Sequence, residues 1–232
     1  MSSTFKEAFY FFRHNLFKLL MYTLSIGLLV VFVPQLLNSL IVGDTIAVEG
    51  TQETIQPFTQ IMNLLLQPIY AGGLIILIFS LAQGQVKGIF ECVMAGIIRW
   101  PFMFLGNVIT SLMIVGGLML FIIPGIWLFT RLFLVPFLIM LNNQSPFVAI
   151  RNSFQYTRGY SFTLLNDIAL LIVMFIAIVL LFNFLKILHP VLLLLFILLF
   201  QTLANVVYYR HYEILMKKNN IDLDNTKKLE TE

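Results

Sequence analysis

Six apolar runs, separated by short polar loops, limit most strongly how this chain can fold. A hydrocarbon core about 30 Å thick needs roughly 20 apolar residues as a helix. Five runs approach that length, and they are Leu19–Leu37, Leu64–Ala82, Phe102–Ile123, Leu164–Leu185 and Pro190–Tyr208. A sixth run, Ile126–Leu141, is shorter and contains Arg131. We count it as a span because leaving it out would place the basic loops that follow on the wrong side of the membrane.

The composition excludes the main soluble classes. Of the 232 residues, 59% are hydrophobic and 11% are charged, whereas soluble domains have about 45–50% and 25%. Disorder requires low hydrophobicity and high charge, and the single Cys92 excludes a disulfide scaffold. The net charge of +3 comes from the flanks of the apolar runs, so we expect no nucleic-acid partner. Because the runs do not alternate, we predict an all-α, polytopic membrane helical bundle of about six transmembrane helices.

The positions of Lys and Arg predict the orientation, because these residues are retained on the cytoplasmic side. Twelve of them flank the runs on one side, and only Lys186 lies on the other. The long loop Asn38–Asn63, on the Lys186 side, contains Asp44, Glu49 and Glu53 and no basic residue. We therefore expect both termini in the cytoplasm, a single transmembrane domain over residues 1–216, and a polar cytoplasmic tail over 217–232.

The first cytoplasmic loop is predicted to form an amphipathic helix. Its apolar residues follow the spacing of one helical face, and they are Val86, Ile89, Phe90, Val93, Met94 and Ile97. Lys87 and Glu91 lie on the other side. This pattern is typical of a helix in the headgroup plane that ends at Trp100-Pro101.

The second cytoplasmic loop has the signals of another short amphipathic helix. Ser145 suits the N-cap, Pro146 suits the first helical position, and Gly159 suits a left-handed C-terminal position. Arg151 and Arg158 are seven residues apart, so they share a helical face. They either snorkel to the interface or bind anionic lipid or a partner.

Four further residues are candidate lipid-binding or structural polar sites. Pro124 and Gly125 favour a tight turn after the third span, or a broken helix of the kind that transporters use. Arg131 is a charge inside a span, with Trp127 one turn before it as a ring partner. Asp167 lies just inside the fifth span and could pair with Arg131 only if the fourth helix tilts.

Enzymatic patterns are missing from the sequence. His14, His189 and His211 are far apart, and no GxSxG, HExxH or P-loop motif occurs. We therefore expect no catalytic residues, no metal site and no cofactor.

Three segments occur in an order and spacing that resemble a known family. They are Ala71–Ile78 followed by Ala82–Gln85, the turn Ile123–Ile126, and Ala149–Ser153 with Thr157. The chain resembles the YciC family of bacterial inner-membrane proteins and, more distantly, the membrane domain of some glycerophosphodiester phosphodiesterases. The resemblance implies a six-span inner-membrane protein of unassigned activity.

The sequence therefore predicts a non-enzymatic, multi-pass protein of the bacterial inner membrane, with a role in envelope or lipid homeostasis. Membrane lipids are its expected partners, and protein partners are not identified. Two alternatives stay open: a small transporter or channel that uses Arg131 and Pro124-Gly125, and a lipid-binding subunit that uses Arg151 and Arg158.

Overall fold

The computed structural model describes residues 3–42, 51–85, 87–184 and 190–229, with side-chain burial for 4–37, 59–85, 87–184 and 192–219. Its elements in chain order are α1 (Ser3–His14), α2 (Leu16–Tyr22), a π-helical segment (Thr23–Gly27), α3 (Leu28–Val42), α4 (Thr51–Ala82), α5 (Ile89–Ile98), α6 (Trp100–Leu120), α7 (Ile122–Leu132), α8 (Val135–Leu141), α9 (Pro146–Tyr156), α10 (Ser161–Phe184) and α11 (Pro190–Leu229). Asp44, Glu49, Val86, Lys186 and His189 lie outside the described residues.

The all-α membrane bundle is confirmed for the described part of the chain. Six helical stretches are long and apolar enough to cross a membrane, and they are Leu16–Leu37, Thr59–Ala82, Trp100–Leu120, Ile122–Leu141, Ser161–Phe184 and Leu192–Asn219. Each overlaps one predicted run, including the short run that contains Arg131. The cytoplasmic location of both termini stays a prediction from the charge distribution.

The turn between the third and fourth spans is shorter than predicted and lies elsewhere. α6 ends at Leu120, Phe121 alone is extended, and α7 begins at Ile122. Pro124 therefore lies in the first turn of α7, where a missing N–H costs nothing. A Cβ on Gly125 would lie 2.8 Å from the backbone nitrogen of Leu118. Gly125 consequently lets α7 pack closely against α6, and the prediction of a turn at Pro124-Gly125 is wrong.

The amphipathic helix predicted in the first cytoplasmic loop is α5, which we call the first elbow helix. It packs against the bundle. α5 packs antiparallel along α4, and the start of α6 continues this contact. A Cβ on Gly96 would lie 2.6 Å from the carbonyl oxygen of Ile69, and the indole of Trp100 donates a 2.6 Å hydrogen bond to the carbonyl of Leu65. The predicted apolar face of α5 is largely exposed, since Phe90 is 75% exposed. The two helices also approach closely at Gly72 and Gly73, where added Cβ atoms would meet the backbone of Gly96 and Cys92.

The helix predicted in the second cytoplasmic loop is α9, which we call the second elbow helix, and its bounds are confirmed. Ser145 is the N-cap residue, Pro146 begins α9, and Gly159 has a φ of 78°. The face of α9 that is buried carries small residues, namely Ala149, Ser153 and, at the C-cap, Thr157. The bulkier Phe147 is 68% exposed.

The core of the bundle lies toward one end, which we call the packed end. Here α1, α5, α8 and α9 surround α4 and α11, and fully buried side chains include Leu74, Ile78, Leu134, Leu138 and Val206. Toward the opposite end, the helices expose large apolar side chains such as Met119, Ile123 and Phe184. An exposed apolar surface of this kind is what contact with lipid chains requires.

Candidate functional site

The fourth span is interrupted at Phe133 and Leu134, two residues after its charged residue. α7 ends at Leu132 and α8 begins at Val135, followed by Pro136, which has no N–H to donate to the preceding turn. The hydroxyl of Ser153, on α9, donates a 2.5 Å hydrogen bond to the carbonyl oxygen of Arg131. The second elbow helix thus satisfies a carbonyl that lies beside the interruption.

The Arg131 side chain runs between Trp127 and the C-terminal end of α9. Its guanidinium carbon lies 5.0 Å from the centre of the Trp127 ring, which confirms the predicted ring contact. Its Nη1 donates to the carbonyl of Phe154 at 3.3 Å and to the Thr157 hydroxyl at 3.5 Å, and its Nε–H is enclosed without a hydrogen-bond partner. Both bonds are near the upper limit of hydrogen-bond length. Most of the donor capacity of the guanidinium is therefore unused by the described residues.

No carboxylate among the described residues forms an ion pair with Arg131. The Arg131–Asp167 pair that a tilted helix would allow is not formed. Asp167 instead contacts His211, with its Oδ2 3.1 Å from the Nε2 of the imidazole. A membrane-embedded cation without a countercharge is costly, so it normally has a structural or functional reason.

Arg131 lines a cavity of about 160 Å³ that opens toward the surface of the bundle. The other wall consists of Gly159, Ser161, Phe162 and Leu165, at the start of α10. Phe162 is 89% exposed, and the Ser161 hydroxyl oxygen has no hydrogen-bond partner. We call this cavity the arginine pocket. It brings a cation and an unused hydroxyl together beside apolar surface.

The arginine pocket fixes the depth of Arg131 relative to the neighbouring span. By length, Arg131 lies halfway along Ile122–Leu141, but its neighbour Ser161 is the first residue of the fifth span. Arg131 therefore lies level with the N-terminal end of α10. The rest of the fourth span, α8, continues into the packed end, where Leu134 and Leu138 are fully buried by protein.

An apolar groove of about 450 Å³ continues from the arginine pocket along α10. Leu165 lines both, and the groove then follows Ile168 and Ile172 on one side and Ile126 and Phe129 of α7 on the other. No charged residue lines it among the described residues. The groove and the pocket together form one surface, which is cationic at the N-terminal end of α10 and apolar along the following turns of this helix.

A buried polar cluster lies where α10 meets α11. The Tyr160 hydroxyl lies 3.0 Å from Nδ1 of His211, and the side chains of His211 and Asp167 are fully buried. Burial and the nearby Asp167 carboxylate raise the pKa of Tyr160, so the phenol stays protonated and donates to Nδ1. This arrangement assigns the imidazole proton to Nε2, facing Asp167. The Nε2–Oδ2 contact falls outside the geometry of a straight hydrogen bond and is electrostatic.

The two arginines predicted on the second elbow are both exposed. Arg151 lies on α9 and Arg158 directly follows its C-cap. Neither forms an ion pair with a described carboxylate. Arg99, on the first elbow, instead donates to the side-chain oxygen of Asn143. The packed end therefore presents two exposed cations, one on α9 and one directly after its C-cap, that no described carboxylate pairs with.

Sequence reasoning missed Ser153, Ser161, Tyr160 and His211. Ser153 and Thr157 are four residues apart, and this spacing of small polar residues could have indicated a polar helix face. His211 follows the last predicted span, Pro190–Tyr208, so nothing indicated that it would meet Asp167. Among the described residues, no group of three His, Cys, Asp or Glu side chains could hold a metal ion.

Comparison with known proteins identifies one family. Residues 54–211 match the uncharacterised protein family UPF0259. No curated protein and no solved structure matches the chain. The matched region contains α5 to α10, the arginine pocket, and both Asp167 and His211. Because the match covers more than half of the 232 residues, the chain belongs to the uncharacterised protein family UPF0259.

Proposed function

We propose that this chain is a non-enzymatic protein of the bacterial inner membrane that binds anionic lipids of the cytoplasmic leaflet, with a role in envelope or lipid homeostasis. The observation that carries the proposal is the exposed surface of α9. Arg151 lies there and Arg158 lies directly after the C-cap, both exposed and without a described acidic partner, and Phe147 and Val148 of the same helix are exposed too. Arginine and aromatic side chains together are typical of a helix that meets anionic headgroups.

The proposal includes a cytoplasmic placement of the packed end. Most of the Lys and Arg residues lie on α1, on α9, on the second half of α11 and in the segments that flank α5, and the cytoplasmic leaflet carries the anionic lipids. A fluorescent reporter fused behind Glu232 tests this placement. We expect fluorescence from a reporter that folds only in the cytoplasm. Activity of a periplasm-specific reporter at the same position would contradict the proposed orientation.

Lipid content of the purified protein tests the binding itself. We expect native mass spectrometry after mild extraction to show phosphatidylglycerol enriched over phosphatidylethanolamine. The double variant Arg151→Ala/Arg158→Ala should lose most of that enrichment. The matched control is Lys217→Ala/Lys218→Ala, which removes two exposed cations from α11. Equal lipid content in all three proteins would contradict the proposal.

A small transporter or channel is the second candidate. A cleft of about 290 Å³ between α3, α4 and α11 favours it, because the amides of Asn63, Gln67 and Gln201 line this cleft within membrane spans. The Pro124-Gly125 pair supports the transporter less, since Gly125 has a packing role against α6. Solute flux in vesicles that falls for Arg131→Ala would favour transport, and no flux of any tested solute with the folded protein would count against it.

We also propose that the relationship to the YciC family, and the more distant one to the membrane domain of glycerophosphodiester phosphodiesterases, is real. The order and spacing of Ala71–Ile78, Ile123–Ile126 and Ala149–Ser153 support it. A solved structure of a YciC protein tests it. We expect the same close helix packing at the residues equivalent to Gly73, Gly96 and Gly125, and a different helix order would contradict it.

A further inference from the structure

We propose that the arginine pocket binds the phosphate of one anionic phospholipid, and that one acyl chain of this lipid lies in the apolar groove between α7 and α10. The proposal deepens the proposed function, on which it rests, by assigning a discrete site. It concerns Arg131, Ser161 and Leu165, and not the exposed arginines of α9.

The first argument for this site is the charge of Arg131. The guanidinium has five N–H donors, and acceptors among the described residues contact Nη1 alone, at 3.3 and 3.5 Å. No described carboxylate pairs with it, and Asp167 is held by His211. A phosphate would supply the missing countercharge and short, charge-assisted hydrogen bonds.

The second argument is the position of the pocket at the start of α10. Ser161 has an unused hydroxyl in the same cavity, and it begins a helix of 24 residues. The first N–H groups of a helix have no partner within the helix, and the helix dipole favours an anion at this end. The arginine pocket thus combines a cation, a hydroxyl and a helix N-terminus.

The groove decides which kind of phosphate is bound. The arginine pocket and the groove together follow α10 from Ser161 to Ile172 over 11 residues, which is about 16 Å at 1.5 Å per residue. Half of a hydrocarbon core is about 15 Å thick. The combined surface therefore matches the depth of one leaflet, with the headgroup level with Arg131 and the part of one acyl chain nearest to it in the groove, which covers about 10 Å from Leu165 to Ile172. Free phosphate would leave this groove without an occupant.

The lining also indicates the headgroup charge. An ethanolamine headgroup brings an ammonium group, which needs a carboxylate or other acceptor. Neither the arginine pocket nor the groove contains an acidic residue among its described lining residues. The site accordingly favours a lipid with net negative charge, such as phosphatidylglycerol, over a zwitterionic one.

Two variants test the two halves of the site. Arg131→Gln removes the cation but keeps a hydrogen-bonding side chain, and Leu165→Trp fills the groove without changing charge. Leu165 is a third exposed and faces lipid, so Leu165→Trp should fold even if Arg131→Gln does not. Each protein is purified in mild detergent, incubated with phosphatidylglycerol, and examined by native mass spectrometry, with thermal unfolding as the check on folding.

We expect the wild-type protein to retain one phosphatidylglycerol after most other lipid has been removed. Affinity for this lipid should fall roughly 10- to 100-fold in Arg131→Gln, as expected for the loss of one charged hydrogen-bonding partner. Leu165→Trp should also lower the affinity, because the indole occupies the space that the acyl chain needs. Inorganic phosphate and glycerol phosphate, used as competitors without an acyl chain, should not displace the lipid. Unchanged retention by folded Leu165→Trp, or displacement by inorganic phosphate, would overturn the proposal.

The outcomes separate this proposal from the proposed function. If Arg151→Ala/Arg158→Ala loses the enrichment of anionic lipid while Arg131→Gln and Leu165→Trp both keep the single retained lipid, the lipid-binding function stands and the site is wrong. If the wild-type protein shows no preference for phosphatidylglycerol over phosphatidylethanolamine, both are wrong.

Discussion

Asp167 of α10 and His211 of α11 lie 3.1 Å apart, measured from Oδ2 to Nε2, and both side chains are completely buried. Tyr160 contacts the other ring nitrogen at 3.0 Å. α10 forms one wall of the arginine pocket. These contacts therefore hold the first two turns of α10 against α11. The arrangement explains why Asp167 does not pair with Arg131.

Removing the carboxylate should destabilise the protein. We expect Asp167→Ala to lower the free energy of unfolding by about 1–3 kcal/mol, because it leaves the buried Nε2–H of the imidazole without its acidic partner. Thermal unfolding in detergent measures the change. Asn166→Ala, an exposed neighbour, is the control and should stay within about 0.5 kcal/mol of wild type. Equal stability of the two variants would show that the pair contributes little.

A methyl group at Gly96 should separate α5 from α4. The added Cβ would lie 2.6 Å from the carbonyl oxygen of Ile69, which is backbone and cannot rotate away. We expect Gly96→Ala to cost about 1–3 kcal/mol, the usual cost of overpacking. The control is Gly116→Ala, since a Cβ there meets nothing within 4 Å and alanine is the better helix former. The prediction fails if Gly96→Ala unfolds at the temperature of Gly116→Ala or above.

Ser153 should contribute to stability through one hydrogen bond. Its hydroxyl donates to the carbonyl of Arg131 beside the interruption between α7 and α8. Ser153→Ala leaves that carbonyl without this donor, so we expect a loss of about 1–3 kcal/mol in thermal unfolding. Gln155→Ala, on the exposed side of the same helix, is the matched control and should be nearly neutral. A neutral Ser153→Ala would mean that water replaces the hydroxyl.

Cys92 should react slowly with thiol reagents in the folded protein. Its side chain is fully buried against α4, and burial raises the pKa of the thiol. The reactive thiolate is therefore scarce at pH 8, and its fraction should rise only above the ordinary pKa near 9. We expect iodoacetamide labelling at pH 8 to become roughly 10-fold faster or more on unfolding in dodecyl sulfate, because unfolding exposes the buried thiol and restores its ordinary thiolate fraction. Equal rates before and after unfolding would contradict the burial of Cys92.

Much of the fold could be predicted because span length depends on local hydropathy alone. The fifth run, predicted as Leu164–Leu185, is helical from Ser161 to Phe184. The turn at Phe121 could not be located in this way. A proline suits the first turn of a helix as well as a break, so Pro124 does not distinguish the two. The close contact of Gly125 with Leu118 decides between them, and that contact is tertiary.

The candidate site could be predicted only in part. Arg131 was identified because a charge in an apolar run is rare, and Trp127 because it is one helical turn away. Its depth could not be predicted, since that depends on where α10 begins beside it. The contact between Asp167 and His211 joins residues 44 positions apart on different helices. Neither hydropathy nor helical periodicity carries that information.

The hydrogen bond from Ser153 to the carbonyl of Arg131 spans 22 positions of the chain. At about 5–20 residues per second, the ribosome makes Ser153 roughly one to four seconds after Arg131. The carbonyl of Arg131 is therefore made before its donor, and it gains this hydrogen bond only once α9 has formed and packed against the fourth span. The interruption between α7 and α8 is consequently completed by a part of the chain that is made after both helices.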